Sequence, residues 1–191
     1  MKLRESEMPD EIYWESLFNV KLILDRLQID SSLRNVAELG SGYGTFTIPV
    51  ARRISGAVET IDVDPEMVKR TLERARTAGL QNIHASCRDI LAQGFPGQNM
   101  SQDACLLFNI LHGEEPVKIL EEALRVVKSE GCVFVIHWRR DIETPRGPRF
   151  EIRPKPEQIV DWARETGRLD LEGSVIDLPP WHYGMRLKRA N

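Results

Sequence analysis

A chain of 191 residues is long enough for one domain with a sizeable core. Its formal charge of −3 and pI near 5.9 give it no overall attraction for nucleic acid or an anionic membrane. With 41% hydrophobic and 29% charged residues it has the composition of an ordinary globular protein. No run approaches the roughly 20 apolar residues of a membrane span, and the charged start MKLRESEMPDE does not read as a signal peptide, so a cytoplasmic protein without membrane contact is expected. Cys87, Cys105 and Cys132 show no C-x-x-C spacing, and the histidines show no H-E-x-x-H spacing, so no metal site is expected.

Residues 8 to 28 place Ile12, Leu17, Val20, Leu24 and Leu27 at helical spacing, which predicts a helical cover within residues 1–30. On it, Tyr13 and Trp14 either close a ligand site or pack as a core aromatic pair. Val36 to Ala51, VAELGSGYGTFTIPVA, reads as strand, glycine loop and helix, with Gly40, Gly42 and Gly44 in the loop. Such turns lie at the carboxyl ends of strands, where open α/β sheets hold ligands. A dinucleotide loop of the form G-x-G-x-x-G needs glycine at position 45, and Thr45 stands there, which disfavours a nicotinamide dehydrogenase. A second strand over 57–62 ends at Asp62, Pro65 opens a long helix, and a third strand over 82–87 ends before Arg88, Asp89 and Ile90. Gly94, Pro96, Gly97 and Asn99 mark 92–101 as a loop.

The run DACLLFNI, 103–110, suits a strand buried on both faces, and it ends in NILHG. A helix over 116–127 and a strand over 131–138 follow, so the alternation predicts a parallel sheet with helices on both faces. The rhythm breaks at 139–155, where Arg139, Arg140, Arg146, Arg149, Arg153 and Lys155 outnumber Asp141, Glu143 and Glu151. This cationic loop is the one local charge anomaly in the chain. A helix over 156–166 and two late strands, 170–177 and 183–189, complete the reading of 156–191.

Four features stand in order: ELGSGYG after the first strand, Asp62 after the second, Asp89 after the third and NILHG after the fourth. Together they resemble the class I S-adenosylmethionine-dependent methyltransferases, most closely the small-molecule branch, over residues 36–138. The segment ALRVVKSEGCVFVIHW is similar to that family's helix and fifth strand, with Ser129 where proline is usual. The resemblance implies a single Rossmann-like α/β domain with a seven-stranded, mostly parallel sheet, helices on both faces and one antiparallel strand near the C-terminus. It implies S-adenosyl-L-methionine as methyl donor and a small-molecule acceptor. The alternatives are a non-catalytic S-adenosylmethionine-binding protein and a protein or RNA methyltransferase, with monomer and homodimer both open.

By the same resemblance Asp62 takes the ribose hydroxyls of the donor, since an ionised carboxylate accepts at both oxygens. Asp89 accepts from the adenine amine, Ile90 and Met67 flank the base, and Glu38 with the loop of Gly40, Gly42 and Gly44 suits the ammonium end. Ser41, Val63 and Asn109 complete the implied donor set. The candidate acceptor contacts are Tyr13, Trp14, His112, Trp138, Arg139, Arg146, Arg149 and Arg153, the arginines because a guanidinium fork matches a carboxylate or phosphate. His112 is the first candidate for a general base, followed by His137 and His182.

Overall fold

The computed structural model describes residues 9–113 and 115–190. Strands β1 (Val36–Leu39), β2 (Val58–Asp62), β3 (Ile83–Cys87), β4 (Gln102–Phe108) and β5 (Val127–Trp138) run parallel in the order β3-β2-β1-β4-β5. Their carboxyl ends therefore share one edge of the sheet. Beyond β5, β8 (His182–Arg189) is antiparallel, and β6 (Leu169–Leu171) and β7 (Ile176–Leu178) pair with separate stretches of its far side. The sheet is thus seven strands across although eight strands compose it. The single strand expected over 170–177 is two, parted by a turn in which Gly173 takes φ 76°, a left-handed value that glycine adopts without a Cβ clash.

The unbroken apolar runs of the central strands are explained by burial on both faces. Along β4, Ala104, Leu106 and Phe108 join one core, while Cys105 and Leu107 join the other; along β5, Cys132, Phe134, Ile136 and Trp138 alternate with Val133 and Val135. The first core is closed by α2 (Val20–Leu27), α3 (Thr47–Arg53) and α4 (Pro65–Thr77), the second by α6 (Pro116–Val126) and α7 (Pro156–Glu165). Strand β5 begins directly after α6, four residues earlier than the apolar pattern of 131–138 predicts.

The N-terminal cover is also two pieces and not one helix. Asn19 accepts a hydrogen bond from Leu22 N at 3.1 Å and caps α2, so α1 (Glu11–Ser16) ends before it. Leu17, Leu24 and Leu27 are buried as the spacing predicts, but Ile12 is 83% exposed and α1 has no buried residue. The part of the cover before residue 9 lies outside the described residues. The loop expected from residue 92 starts later, because Asp89 caps a short α5 (Ile90–Gln93).

Candidate active site

The strand order reverses between β1 and β4, and at such a point the connections leave in opposite directions and open a crevice. The glycine loop fills one wall of it. Gly40 and Gly44 have φ of 82° and 78°, and a Cβ on Gly40 would lie 3.4 Å from Ile110 Cγ2 while one on Gly44 would lie 3.2 Å from Thr71 Oγ1. Side chains in these places would fill the crevice or displace its wall. Helix α4 holds the loop from behind: Thr71 Oγ1 donates to Gly42 O at 3.0 Å and Arg74 Nη1 to Tyr43 O at 3.0 Å. From the end of β2, Asp62 accepts from Gly42 N at 2.9 Å and from Asp64 N at 3.0 Å. Burial raises the pKa of this carboxyl, and the backbone donors pull against that shift.

Glu38 lies under the loop at only 2% exposure and accepts from Thr47 Oγ1 at 2.5 Å. Burial pushes its pKa up to about 7 against the hydrogen bond from Thr47, which favours the protonated carboxyl over what an exposed glutamate would show. The observed contact ties β1 to α3. Three more polar atoms around the crevice, Ser41 Oγ, Thr45 Oγ1 and Asn109 Oδ1, are buried with no hydrogen-bond partner among the described residues. Such groups are costly unless something completes them. Asn109 is brought there by a positive φ of 60° at the end of β4, with its N–H bonded to Ile136 O at 2.8 Å. Val63 and Met67 are half-buried beside Asp62. Asp89 accepts from Leu91 N and Ala92 N through one oxygen, at 2.9 and 3.3 Å. Ile90 is 3% exposed and packs in the second core, so its side chain is a support and not an open face.

Beyond β4 and β5 the edge carries a second feature, a pocket of about 220 Å³ lined by His112, Gly113, Arg140, Arg153, Gln158 and Trp162 among others. Arg153 is 6% exposed and donates to three backbone carbonyls, Pro148 O at 2.9 Å, Arg139 O at 2.9 Å and Arg146 O at 3.2 Å. Arg140 donates to Arg153 O at 3.4 Å. Among the described residues neither guanidinium has a carboxylate within 4.0 Å, although Glu151 also lines the pocket. Burial lowers the pKa of Arg153, but from so high a starting value that it stays charged.

Several expected contacts lie elsewhere. Trp138 is 1% exposed and belongs to the core, between Phe18, His182 and the Arg153 guanidinium. Arg139 is paired with Asp141 at 2.6 Å, and Arg149 is exposed and away from the pocket lining. Arg146 contributes its carbonyl, which accepts from Thr144 and Arg153. His182 is stacked on Phe18, tilted against Trp138 and only 1% exposed, and burial pushes its pKa down to about 3, so it belongs to the core and does not reach a substrate. His137 is fully buried behind His112. Trp14 packs edge-on against Phe18 at 5.0 Å, which is the core role, while Tyr13 is 38% exposed. Arg140, Gln158 and Trp162 were missed. Arg140 sits in the cationic loop already singled out, but the other two come from α7, whose amphipathic pattern gives no sign that its first turns face a pocket.

Residues 36–131, half of the chain, match the family described as Methyltransferase domain. The chain belongs to the class I S-adenosylmethionine-dependent methyltransferases. By family it is a methyltransferase with S-adenosylmethionine as methyl donor. In fold it is similar to an S-adenosylmethionine-dependent methyltransferase from Aquifex aeolicus, with 24% identity, 93% of each chain covered and a TM-score of 0.81. It is also similar to the [4+2]-cyclase SpnF, with 24% identity, 92% of this chain and 63% of the other covered, and a TM-score of 0.70. In sequence, 79 residues are 40% identical to the 23S rRNA (uracil(1939)-C(5))-methyltransferase RlmD from Alcanivorax borkumensis, covering 41% of this chain and 17% of that relative's length.

The residues of the crevice fit the donor. Its ammonium and carboxylate would supply the donors and acceptors that the Ser41, Thr45 and Asn109 atoms lack, and a loop without Cβ atoms at Gly40 and Gly44 would admit it close to backbone. Among the described residues no cluster of three or more His, Cys, Asp or Glu could hold a metal ion, and no helix is long and apolar enough to cross a membrane.

Proposed function

We propose that this chain transfers the methyl group of S-adenosylmethionine to a small acceptor carrying a carboxylate or a comparable anion. The observation that carries this reading is the buried Arg153 guanidinium, joined by Arg140, in a pocket next to His112 where, among the described residues, no carboxylate lies within 4.0 Å of either charge. A buried charge met by carbonyl dipoles and by the Trp138 and Phe150 rings is stabilised further by an anion, and a planar fork favours one with two oxygens. The donor supplies an activated methyl group. The chain's own work is to hold the acceptor in line with it, for which Gly113, Gln158 and Trp162 provide walls, and to keep water out. Placing the donor at the mouths of β1, β2 and β3, bounded by Asn109 at the end of β4, and the acceptor beyond it at β4 and β5 uses both halves of the edge.

An RNA acceptor is the second reading, favoured by the match to the rRNA enzyme. Against it, a thiol nucleophile for pyrimidine C5 chemistry is lacking at the mouth of β4: Cys105 lies within the strand at 1% exposure. The test is a transfer screen with labelled donor over small hydroxy acids, phenols, thiols and amines, with bulk RNA and protein alongside. Label in an acidic small molecule supports the reading, and Arg140→Ala should then raise the acceptor KM about tenfold, equivalent to ~1.4 kcal/mol. Label in RNA or in a cationic acceptor contradicts it.

A further inference from the structure

The histidine at the pocket is not alone. His112 Nδ1 lies 3.3 Å from Nε2 of His137, and the other nitrogen of His137, Nδ1, lies 3.4 Å from Trp138 O. Each ring is part of a chain whose direction its far end decides. A backbone carbonyl accepts and never donates, so the His137 nitrogen facing Trp138 O is the one that bears hydrogen. Burial lowers the pKa of both rings, that of His137 well below its ordinary value, so each is neutral at pH 7 and carries one hydrogen. With Nδ1 of His137 protonated, its Nε2 is a lone pair, and His112 Nδ1 must be the donor to it.

From this juxtaposition we infer that His137 is a positioning residue which fixes His112 in the Nδ1–H tautomer, presenting its unprotonated Nε2 to the pocket as a base. The inference rests on the acceptor reading above and deepens it: the methylated atom is one that must shed a proton, and a hydroxyl on an anionic small molecule meets both demands. As the acceptor oxygen bonds to the transferred methyl carbon, its proton passes to His112 Nε2, and the electron pair of the breaking carbon–sulfur bond stays on sulfur. The imidazolium so formed faces Arg140, Arg153 and the neutral His137, with Glu151 as the one carboxylate of the lining among the described residues, and it returns its proton to solvent through the open mouth. Were the tautomer reversed, Nε2–H would point at the hydroxyl and no base would be present.

The test is long-range proton–nitrogen correlation spectroscopy on the full chain near pH 7.5, with the His112 signals assigned by their loss in His112→Gln. His112 is expected to carry its hydrogen on Nδ1. In His137→Gln, where the side-chain carbonyl still accepts, the tautomer should persist; in His137→Leu it should shift toward Nε2–H. Turnover with the acceptor found by the screen should fall at least tenfold in His137→Leu and recover in His137→Gln, with the acceptor KM and donor affinity little changed. A wild-type His112 protonated on Nε2 overturns the inference without need of any variant, and so does a folded His137→Leu protein with tautomer and turnover unchanged. If instead no acid or hydroxyl compound accepts a methyl group while His112 is found as the Nδ1–H form, the acceptor reading fails and the positioning of His112 by His137 stands.

Discussion

At the scale of single residues, the site is built from polar groups placed where the fold gives them too few partners. Glu38 is the clearest case, because its carboxyl is buried with the Thr47 hydroxyl as its partner. Its pKa in the folded chain lies above its ordinary value, so protonation favours the fold. The contribution is fully present below about 4.5 and is lost as pH rises through about 7. A change from 4.5 to about 7 corresponds to roughly 3 kcal/mol, at about 1.4 kcal/mol for each tenfold change in proton affinity. Urea unfolding of wild type and Glu38→Gln between pH 4.5 and 8.5 should therefore show wild type losing about that much stability relative to the variant as pH rises. Parallel profiles would mean that the Glu38 carboxyl is solvated. Gly44→Ala tests the cradle from the other side: a left-handed φ of 78° and a contact of 3.2 Å to Thr71 Oγ1 predict a loss of stability and of donor affinity together.

At the scale of elements, the helices differ in what fastens them. Helix α2 buries Ile23, Leu24 and Leu27, whereas α1 has no fully buried residue: it rests the half-buried Trp14 on Phe18 and is tied by Glu11 to Arg70 at 2.7 Å, by Glu15 to Arg74 at 2.5 Å and by Tyr43 Oη donating to Pro9 O at 2.8 Å. These ties run to the glycine loop and to α4, so α1 overlies the glycine-loop wall of the crevice. Exposed ion pairs are screened by salt, and hydrogen exchange over 11–16 should accelerate between 0.05 and 0.5 M salt while β4 and β5 stay protected. Equal protection of α1 and α2 at both concentrations would show that the Trp14–Phe18 contact, and not the ion pairs, anchors α1. The cationic loop is fastened differently, by the Arg153 fork across three carbonyls. Arg153→Ala should raise exchange over 139–155 by tenfold or more, and exchange confined to wild-type rates would show the loop to be held by its prolines instead.

At the scale of the whole molecule, the sheet and its ligand edge were legible because their signals are local and periodic. Continuous apolar runs mark β4 and β5, and the glycine loop, Asp62, Asp89 and NILHG each stand at a strand's carboxyl end. What was not legible depends on side-chain direction across elements far apart in sequence. A separation of 25 positions between His112 and His137 hides a pair in contact, and the loop charges gave no sign that Arg139 would be neutralised by Asp141 while Arg140 and Arg153 faced the pocket. Trp138 likewise had an even chance of either face, since strand side chains alternate and both faces of β5 are buried. The division of the edge into a donor half and an acceptor half is the centre of this account, and calorimetric titration of S-adenosylmethionine into wild type, Asp62→Ala and Arg140→Ala tests it most directly. Asp62→Ala should weaken binding by about 1.5–3 kcal/mol, the range for a hydrogen bond to a charged group, and Arg140→Ala should leave it unchanged. Unaltered donor affinity in Asp62→Ala, or a loss in Arg140→Ala as large as that expected for Asp62→Ala, would contradict the placement of the two halves.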